Sequence, residues 1–252
     1  MTPLPRAHLE TLLRDRKLDR TLTSAMPPRD PADDAAVAST GITALDASLE
    51  GGFPRGQLSE LVGPRSSART SVLLRAFAAA TARGELVAIV DALDMFDVES
   101  AAAAGVDLDR VLWVRGHVVP NPGFGRDVNQ RALEHAIRAM ALVLQAGNFG
   151  IVALDVADAP PAAVRQLPFT TWLRLQRMVE GSQTVCVLVG AEPMARSSAG
   201  LTVRLGTPPS RSGRFGPQLF DGVDADARVL RARAHRHEDA RAAFATRVPC
   251  HA

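Results

Sequence analysis

The sequence predicts an α/β fold in which a mainly parallel, twisted sheet is flanked by helices on both faces. Two observations favour this fold class. From Thr40 onward, short β-rich runs alternate with helical stretches, and the strand runs carry apolar residues on both faces, as strands covered on both sides do. The chain has 252 residues, of which 46% are hydrophobic and 22% charged, so it is long enough to bury a large core and is not wholly disordered.

The first part of the chain is predicted to form a short amphipathic helix and a linker, together residues 1–39. Leu9, Leu12 and Leu13 share one face of a helical pattern over 4–20, with charged residues between them. The linker, residues 21–39, contains three prolines and a cluster of Asp, Ser and Thr, which is typical of a connecting segment.

A core domain is predicted over residues 40–240, followed by a C-terminal tail at 241–252. Strands are expected at 57–62, 86–91, 111–115, 150–155, 184–190 and 200–205. Helices are expected at 41–49, 70–82, 97–104, 127–146 and 169–180. A loop rich in Pro, Gly and Arg at 206–218 then precedes a run at 227–234 whose alternation suits an edge strand.

The strongest local motif lies between the first of these strands and the second helix. It reads Gly63-Pro64-Arg65-Ser66-Ser67-Ala68-Arg69-Thr70 and has the context of a phosphate-binding loop, in which backbone N–H groups wrap phosphates at a helix N-terminus. Two of the four fixed positions differ, since Ala68 replaces the second glycine and Arg69 replaces the lysine that reaches the phosphates. Arg is bulkier and forked, so the exchange is not conservative. The candidate nucleotide-binding residues of the loop are Gly63, Ser67, Ala68, Arg69 and Thr70, and the motif alone leaves nucleotide binding open.

Several segments around this loop form a set. They are Thr40-Gly41-Ile42-Thr43-Ala44-Leu45-Asp46, Gly51-Gly52-Phe53-Pro54-Arg55-Gly56, Glu60-Leu61-Val62-Gly63-Pro64, Val90-Asp91-Ala92, Gly105-Val106-Asp107-Leu108-Asp109-Arg110-Val111-Leu112, Val152-Ala153-Leu154-Asp155 and Val229-Leu230-Arg231-Ala232-Arg233. Together they resemble the core of the RecA recombinase family over residues 40–240. The resemblance implies a RecA-like P-loop core in which the strand ending at Asp155 is the Walker B strand.

The same resemblance implies that the catalytic positions are mostly lost. The RecA family places its water-activating glutamate two residues after the aspartate matched by Asp91, where this chain has Leu93. A leucine cannot take a proton, and losing a positioned general base typically costs about 10²–10⁴-fold in rate. Ser100 stands where the family has a tyrosine that stacks on adenine, and Gly190 and Ala191 stand where it has the Asn-Gln switch. We therefore expect no catalytic residue and no ATP turnover.

Some nucleotide-contacting positions of the family are retained. Asp97 matches the residue that contacts adenine, and Thr70 and Asp155 match the pair that holds Mg²⁺. This pair has a second interpretation, since Thr70 can cap the helix and a strand-end aspartate often accepts hydrogen bonds from loop N–H groups. Asp94 is either a displaced base or a solvated loop residue. No cofactor is expected, and ATP with Mg²⁺ is the open alternative.

Contact with DNA is expected to differ from that of the family. The resemblance places the two DNA-binding loops at 156–168 and 191–199, where Arg165 and Arg196 are the only basic residues. Residues 201–252 carry nine basic and five acidic side chains and offer substitute phosphate contacts. The candidate DNA-binding residues are Arg204, Arg211, Arg214, Arg228, Arg231, Arg233 and Arg236. The alternative is that the arginines of the last run are solvated edge protection.

A RecA-like core with an altered loop, no catalytic glutamate and no switch residue resembles the ImuA family of bacterial damage-response proteins. This implies a non-catalytic accessory protein of the SOS response that supports error-prone translesion synthesis. Its expected partners are an ImuB-type Y-family polymerase homologue, an alternative DnaE-type polymerase and RecA. Two other functions stay open: a divergent DNA-dependent ATPase in which Arg69 and Asp94 take over the missing roles, and a SulA-like cell-division inhibitor.

RecA-fold proteins join neighbours through an N-terminal segment. Leu9, Leu12 and Leu13 are therefore the candidate contact with a partner protein or a second copy of this chain, and the alternative is that their helix packs on its own core. The two cysteines are too few for a Cys-ligated zinc site or a disulfide framework and indicate a reduced, cytoplasmic protein. No membrane span is expected, because no run of about 18 uncharged apolar residues occurs. No metal site is expected either, because His235 and His237 have no further clear ligands.

Overall fold

The computed structural model describes residues 36–116, 126–206, 222–232 and 239–247, all within one compact unit. These residues form ten strands: β1 (Val37–Ala38), β2 (Phe53–Pro54), β3 (Leu58–Val62), β4 (Leu86–Asp91), β5 (Val111–Arg115), β6 (Phe149–Asp155), β7 (Val185–Gly190), β8 (Leu201–Gly206), β9 (Gly222–Ala232) and β10 (Arg241–Arg247). They also form six α-helices: α1 (Thr43–Ser48), α2 (Arg69–Ala82), α3 (Val98–Ala103), α4 (Arg126–Ala146), α5 (Pro161–Gln166) and α6 (Phe169–Val179). None of these helices has the length and apolar character needed to cross a membrane.

Eight of the strands form one sheet in the order β10-β9-β8-β3-β7-β6-β4-β5. The six strands from β8 to β5 are parallel to one another, and β9 and β10 continue the sheet antiparallel beyond β8. Asp91 at the end of β4 lies beside Asp155 at the end of β6, which in turn lies beside Val189 of β7. The carboxyl ends of four central strands therefore meet at one edge, where parallel sheets usually place their sites.

The sheet carries an apolar core on each face. Along β6, Ile151 and Ala153 belong to one core, and Val152 and Leu154 belong to the other. The first core is covered by α1, α2 and α3, and the second by α4, α5 and α6. Alternate residues of one strand thus enter opposite cores, which explains why strands such as β4, β6 and β7 are apolar on both faces.

A short connection before α1 is held by one aspartate. The Asp46 carboxylate accepts hydrogen bonds from the Thr40 N–H at 2.8 Å, the Thr40 hydroxyl at 2.7 Å and the Ser39 hydroxyl at 2.6 Å. Nearby, Gly52 has a φ of 133°, and a Cβ there would lie 2.1 Å from the Ala38 carbonyl oxygen. Only glycine fits this position, so it permits the β1–β2 pair to form.

The strands and helices expected at 57–62 through 200–205 and at 41–49 through 169–180 agree with the structure to within two residues at each end. The ends of the predicted core differ. Val37 and Ala38, placed in the linker, are 9% and 1% exposed and form β1. Residues 241–247, placed in the tail, form β10, which pairs with β9. The predicted edge strand at 227–234, described over residues 227–232 as part of β9, is therefore followed by one more strand in the sheet.

These differences have physical reasons. β1 has only two residues, and of the described side chains of β10 only Ala242 is buried, with Phe244 partly buried, so neither has the run of large apolar residues that predicts a strand. Helix α5 was also missed, because six residues are too few for a helical period to be distinct. The predicted N-terminal helix with Leu9, Leu12 and Leu13 lies outside the described residues, as does all but the first residue of the loop at 206–218.

Candidate functional site at the carboxyl edge of the sheet

The loop from Gly63 to Thr70 joins β3 to α2 at this edge. The Gly63 N–H donates to the Gly190 carbonyl at 3.2 Å, and a Cβ on Gly63 would lie 2.4 Å from the Leu205 carbonyl oxygen. Ala68, just before α2, has a φ of 66°, in the left-handed region that favours glycine. The position of the second glycine thus keeps a glycine-type backbone while carrying a methyl group.

Two buried side chains of the loop have polar atoms without a hydrogen-bond partner among the described residues. Ser67 is 1% exposed and its hydroxyl is unpaired, and Arg69 is 7% exposed with one guanidinium nitrogen unpaired. Burial lowers the pKa of Arg69 from its usual value, and the Asp155 and Asp158 carboxylates oppose that shift. Thr70 is exposed. The start of α2 therefore retains unsatisfied hydrogen-bonding capacity.

Asp155 ends β6 and faces the start of α2. Its carboxylate accepts a hydrogen bond at 2.9 Å from the N–H of Ala157, which is the loop contact expected of a strand-end aspartate. Burial raises the pKa of Asp155 to about 6, the Ala157 N–H opposes the shift, and the neighbouring Asp91 carboxylate adds to it. The positive charge of Arg69 acts in the opposite direction.

Asp91, at the end of β4, fixes the turn that follows it. It is 1% exposed, and its carboxylate accepts hydrogen bonds from the N–H groups of Phe96 at 2.7 Å and Leu93 at 3.3 Å and from the Trp113 indole at 3.3 Å. Leu93, at the position of the missing glutamate, is half-buried and packs against the second core. No proton acceptor stands at this position.

The neighbouring carboxylate of Asp94 is held by an arginine. Both of its oxygens accept hydrogen bonds from Arg115, from Nε at 2.7 Å and from a terminal nitrogen at 2.6 Å. The Arg115 guanidinium also lies 4.5 Å from the centre of the Trp113 ring, and its pKa is raised by the hydrogen bond with Asp94. Asp94 therefore forms a bidentate ion pair with Arg115 at the surface.

Asp97 caps α3. Its carboxylate accepts hydrogen bonds from the N–H of Ser100 at 3.1 Å and from the Ser100 hydroxyl, and these bonds lower the pKa of Asp97. Asp97, the predicted adenine contact, is therefore the N-terminal cap of this helix. Its partner Ser100 is the residue that stands where the family has the aromatic side chain.

At the end of β7, the side chain of Met194 occupies the space beside Gly190, which stands at the first switch position. A Cβ on Gly190 would lie 2.2 Å from the terminal methyl of Met194. Met194 and Ala195 each donate a backbone N–H to one oxygen of Glu60 at 2.7 Å, and the Thr202 hydroxyl donates to the other at 2.8 Å. Glu60 is 1% exposed and fixes the loop after β7. Sequence reasoning missed it, although a carboxylate in the apolar run 57–62 was the available signal.

Three of the candidate DNA-binding arginines lie in the described residues, and each has a partner within the chain. Arg204 pairs with Glu192 at 2.7 Å, Arg228 pairs with Asp239 at 2.7 Å, and Arg231 donates to a backbone carbonyl. The described ranges contain no cluster of three His, Cys, Asp or Glu side chains that could hold a metal ion. The candidates outside those ranges are Arg211, Arg214, Arg233 and Arg236, together with His235 and His237.

The similarity of this chain to known proteins covers the same core. Residues 23–158 match the RecA N-terminal domain. Protein RecA of Chlorobaculum parvum is 29% identical over 218 residues, which cover 79% of this chain and 57% of that protein. Protein RecA of Salinispora tropica is 39% identical over 135 residues, which cover 53% of this chain and 35% of that protein. The chain thus spans less than two thirds of the length of these relatives.

A solved structure has the same architecture. The crystal structure of the RadB recombinase matches with a TM-score of 0.58 at 19% identity, covering 83% of this chain and 96% of that chain. At this level of identity the likeness concerns the fold. It confirms the expected α/β class with a mostly parallel central sheet flanked by helices.

Proposed function

This chain belongs to the RecA family, and from that premise we propose that it serves bacterial DNA-damage tolerance as a non-catalytic accessory protein. In this role it supports error-prone translesion synthesis through contacts with other proteins, as the resemblance to the ImuA family implies. The proposed partners are an ImuB-type polymerase homologue, an alternative DnaE-type polymerase and RecA.

The main support for the proposal is that Leu93 occupies the position two residues after Asp91, where the family has its glutamate. Leu93 packs against the second core and has no group that can accept a proton from water. The adjacent carboxylate of Asp94 is engaged by two hydrogen bonds from Arg115, so using it as a base would first break a charge-assisted contact. A general base is thus missing where the family's reaction uses one.

The nucleotide-contacting residues do not fit a productive complex with Mg²⁺ and ATP. Burial and the neighbouring Asp91 raise the pKa of Asp155 to about 6, so metal binding by this carboxylate weakens as pH falls through that value. Arg69 adds competing positive charge beside it, and Ala68 carries a methyl group where backbone approaches phosphate. Met194 fills the space that a side chain at the first switch position would occupy.

The measurement that tests the absence of turnover is phosphate release from ATP and Mg²⁺, with and without single-stranded DNA, beside a bacterial RecA as positive control. We expect no release above background for this chain. The Asp155→Asn variant is the matched control for contamination. DNA-stimulated release that the variant loses would overturn the proposal and favour the divergent ATPase in which Arg69 and Asp94 take over the missing roles.

Association with purified ImuB-type protein and with RecA tests the accessory role. Light scattering of mixtures should show complex formation with at least one of them. Changing Leu9 and Leu12 to Asp should weaken association with no change in melting temperature, whereas Arg6→Ala, among the charged residues of the same predicted helix, should leave association unchanged. Equal association of the Leu9→Asp, Leu12→Asp protein and the wild type would remove these leucines from the proposed interface.

A further inference from the structure

A cavity of about 460 Å³ lies between the loop after β6 and the loop after β7. It is separate from the loop between β3 and α2, none of whose residues line it. Most of its wall is apolar, and the larger side chains that contribute to it are Val164, Leu167, Phe169, Trp172, Pro193 and Met194. Its volume falls within the range typical of ligand and peptide-anchor pockets.

The residues that line this cavity are fixed by packing in the core and by hydrogen bonds to neighbouring elements. Trp172 and Leu167 are 2% and 7% exposed, so both belong to the second core as well as to the wall. Glu60 fixes the backbone of Met194 through a hydrogen bond of 2.7 Å, and the Arg231 guanidinium donates to the carbonyl of Arg196. A binding surface fixed in this way loses little conformational freedom when a ligand enters.

The charged residues of the wall leave it net positive. Arg165 and Arg196 are both exposed, and neither forms an ion pair or a side-chain hydrogen bond with a residue of the described ranges. Glu192 is the one carboxylate among the lining residues, and it is paired with Arg204 at 2.7 Å. The cavity therefore presents apolar walls with two cations whose charge nothing in the described residues neutralises.

We propose that this cavity docks a short segment of a partner protein, in which a bulky apolar side chain is flanked by Asp or Glu. The apolar anchor would enter between Trp172 and Met194, and the acidic flanks would pair with Arg165 and Arg196. Buried aromatic anchors with charged residues around them carry most of the affinity of such contacts. The inference rests on the proposed role in protein contacts and deepens it by assigning that role a surface.

The same features favour a peptide over single-stranded nucleic acid. Stacking of successive bases needs several exposed aromatic faces, and the wall offers one, that of Phe169 at 36% exposure, since the indole of Trp172 is only 2% exposed. Tracking a phosphate backbone needs a row of cations, and the cavity offers two. An acidic segment with one anchor matches both the enclosed apolar wall and the small number of charges.

Fluorescence anisotropy with the full chain tests the proposal. The probe is a fluorescein-labelled peptide, Gly-Asp-Glu-Leu-Phe-Glu-Asp-Gly, and the comparison peptide has every acidic residue replaced by Lys. We expect the acidic peptide to bind with a dissociation constant on the order of tens of micromolar. The basic peptide should bind at least tenfold more weakly.

Two variants connect binding to the cavity. Reversing both cations, with Arg165→Glu and Arg196→Glu, should weaken the acidic peptide at least tenfold and strengthen the basic one. Val164→Phe should weaken both, because the added ring takes up space within the wall. Arg177→Glu, on the exposed side of α6 and outside the wall, is the charge-matched control and should leave the acidic peptide unaffected. Melting temperatures close to that of the wild type will establish that the variants are folded.

Four outcomes would overturn the proposal: no binding of the acidic peptide up to 1 mM, equal binding of the two peptides, binding that Arg165→Glu with Arg196→Glu leaves unchanged, or displacement of the peptide by oligothymidylate at low micromolar concentration. The last result would assign the cavity to nucleic acid. Peptide binding together with ATP turnover would contradict the proposed function and leave this inference standing. If neither peptide binding nor ATP turnover is detected, this inference is overturned and the proposed function stands.

Discussion

At the scale of single residues, the raised pKa of Asp155 predicts a measurable effect of pH on stability. Its pKa rises from 3.8 to about 6 because burial disfavours the charged carboxylate. The folded chain therefore holds this proton more tightly than the unfolded chain does. The contribution to stability is present below about pH 4, is lost as pH rises through 6 and stays absent above that. Two pKa units correspond to about 3 kcal/mol.

Asp155→Asn removes this ionisation while keeping an oxygen that can accept the Ala157 N–H. We expect the variant to be more stable than the wild type by about 3 kcal/mol at pH 7.5 and by only about 1 kcal/mol at pH 4.5, measured by urea unfolding at both values. Asp158→Asn breaks an ion pair with the exposed Arg65 and removes a weaker charge effect on Arg69 and Asp155, and it should change stability by less than about 1 kcal/mol at either pH. A less stable Asp155→Asn protein at pH 7.5 would mean that the charged carboxylate is favourably paired.

The strain at Ala68 gives a second prediction for a single residue. An alanine in the left-handed region costs about 1–2 kcal/mol, and Ala68 has a φ of 66°. Ala68→Gly should therefore raise the free energy of unfolding by about 0.5–1 kcal/mol despite the greater freedom of glycine in the unfolded chain. Ala79→Gly, inside the same helix, should lower it by about 1 kcal/mol. If both substitutions destabilise by similar amounts in urea titrations, Ala68 is not strained.

At the scale of elements, Glu60 connects β3 to the loop after β7. Its carboxylate accepts three hydrogen bonds inside the protein, from Met194, Ala195 and Thr202. Glu60→Ala should cost about 3 kcal/mol or more, because two N–H groups lose their partner in a buried setting. The amides of Met194 and Ala195 should then lose protection in hydrogen exchange.

Glu60→Gln is the discriminating variant. One amide oxygen can still accept from both N–H groups, and the amide nitrogen can donate to a rotated Thr202 hydroxyl. We expect a loss of about 1 kcal/mol and protected amides at Met194 and Ala195. Equal losses for Glu60→Ala and Glu60→Gln would show that charge, rather than hydrogen bonding, holds the loop.

The elements also show how far the sequence alone could go. Strands such as 150–155 are predictable because neighbouring residues enter opposite apolar cores, which leaves a continuous hydrophobic run. β10 was not predictable in this way, since among its described side chains only Ala242 is buried and Phe244 is partly buried. The loss of the glutamate at Leu93 could be predicted, because the resemblance to the RecA family places that glutamate two residues after Asp91 in the same segment. The pairing of Asp94 with Arg115 could not be predicted in this way, because it joins the turn after β4 to the end of β5, and only the sheet order brings these two places together.

At the scale of the whole molecule, the carboxyl edge collects residues from four strands that are distant in sequence. β3 supplies the loop with Arg69, β4 leads to Leu93, β6 ends at Asp155, and β7 ends at Gly190. Arg69, Leu93 and Gly190 are expected departures from the family's pattern, and burial raises the pKa of Asp155. The departures act on one ligand, so their combined effect should appear in the binding of that ligand to the intact fold.

Thermal unfolding with and without 1 mM ATP and Mg²⁺ measures that effect. A dissociation constant of 10 mM or weaker would add less than about 0.1 kcal/mol to the free energy of unfolding, and we therefore expect a shift in Tm below about 0.5 °C. A constant near 10 μM would add about 2.7 kcal/mol and shift Tm by about 5–10 °C for a chain of this size. The Asp155→Asn protein should respond as the wild type does. A shift of several degrees that Asp155→Asn abolishes would show that the edge still holds a metal-bound nucleotide, and its role would then be that of a ligand-dependent switch.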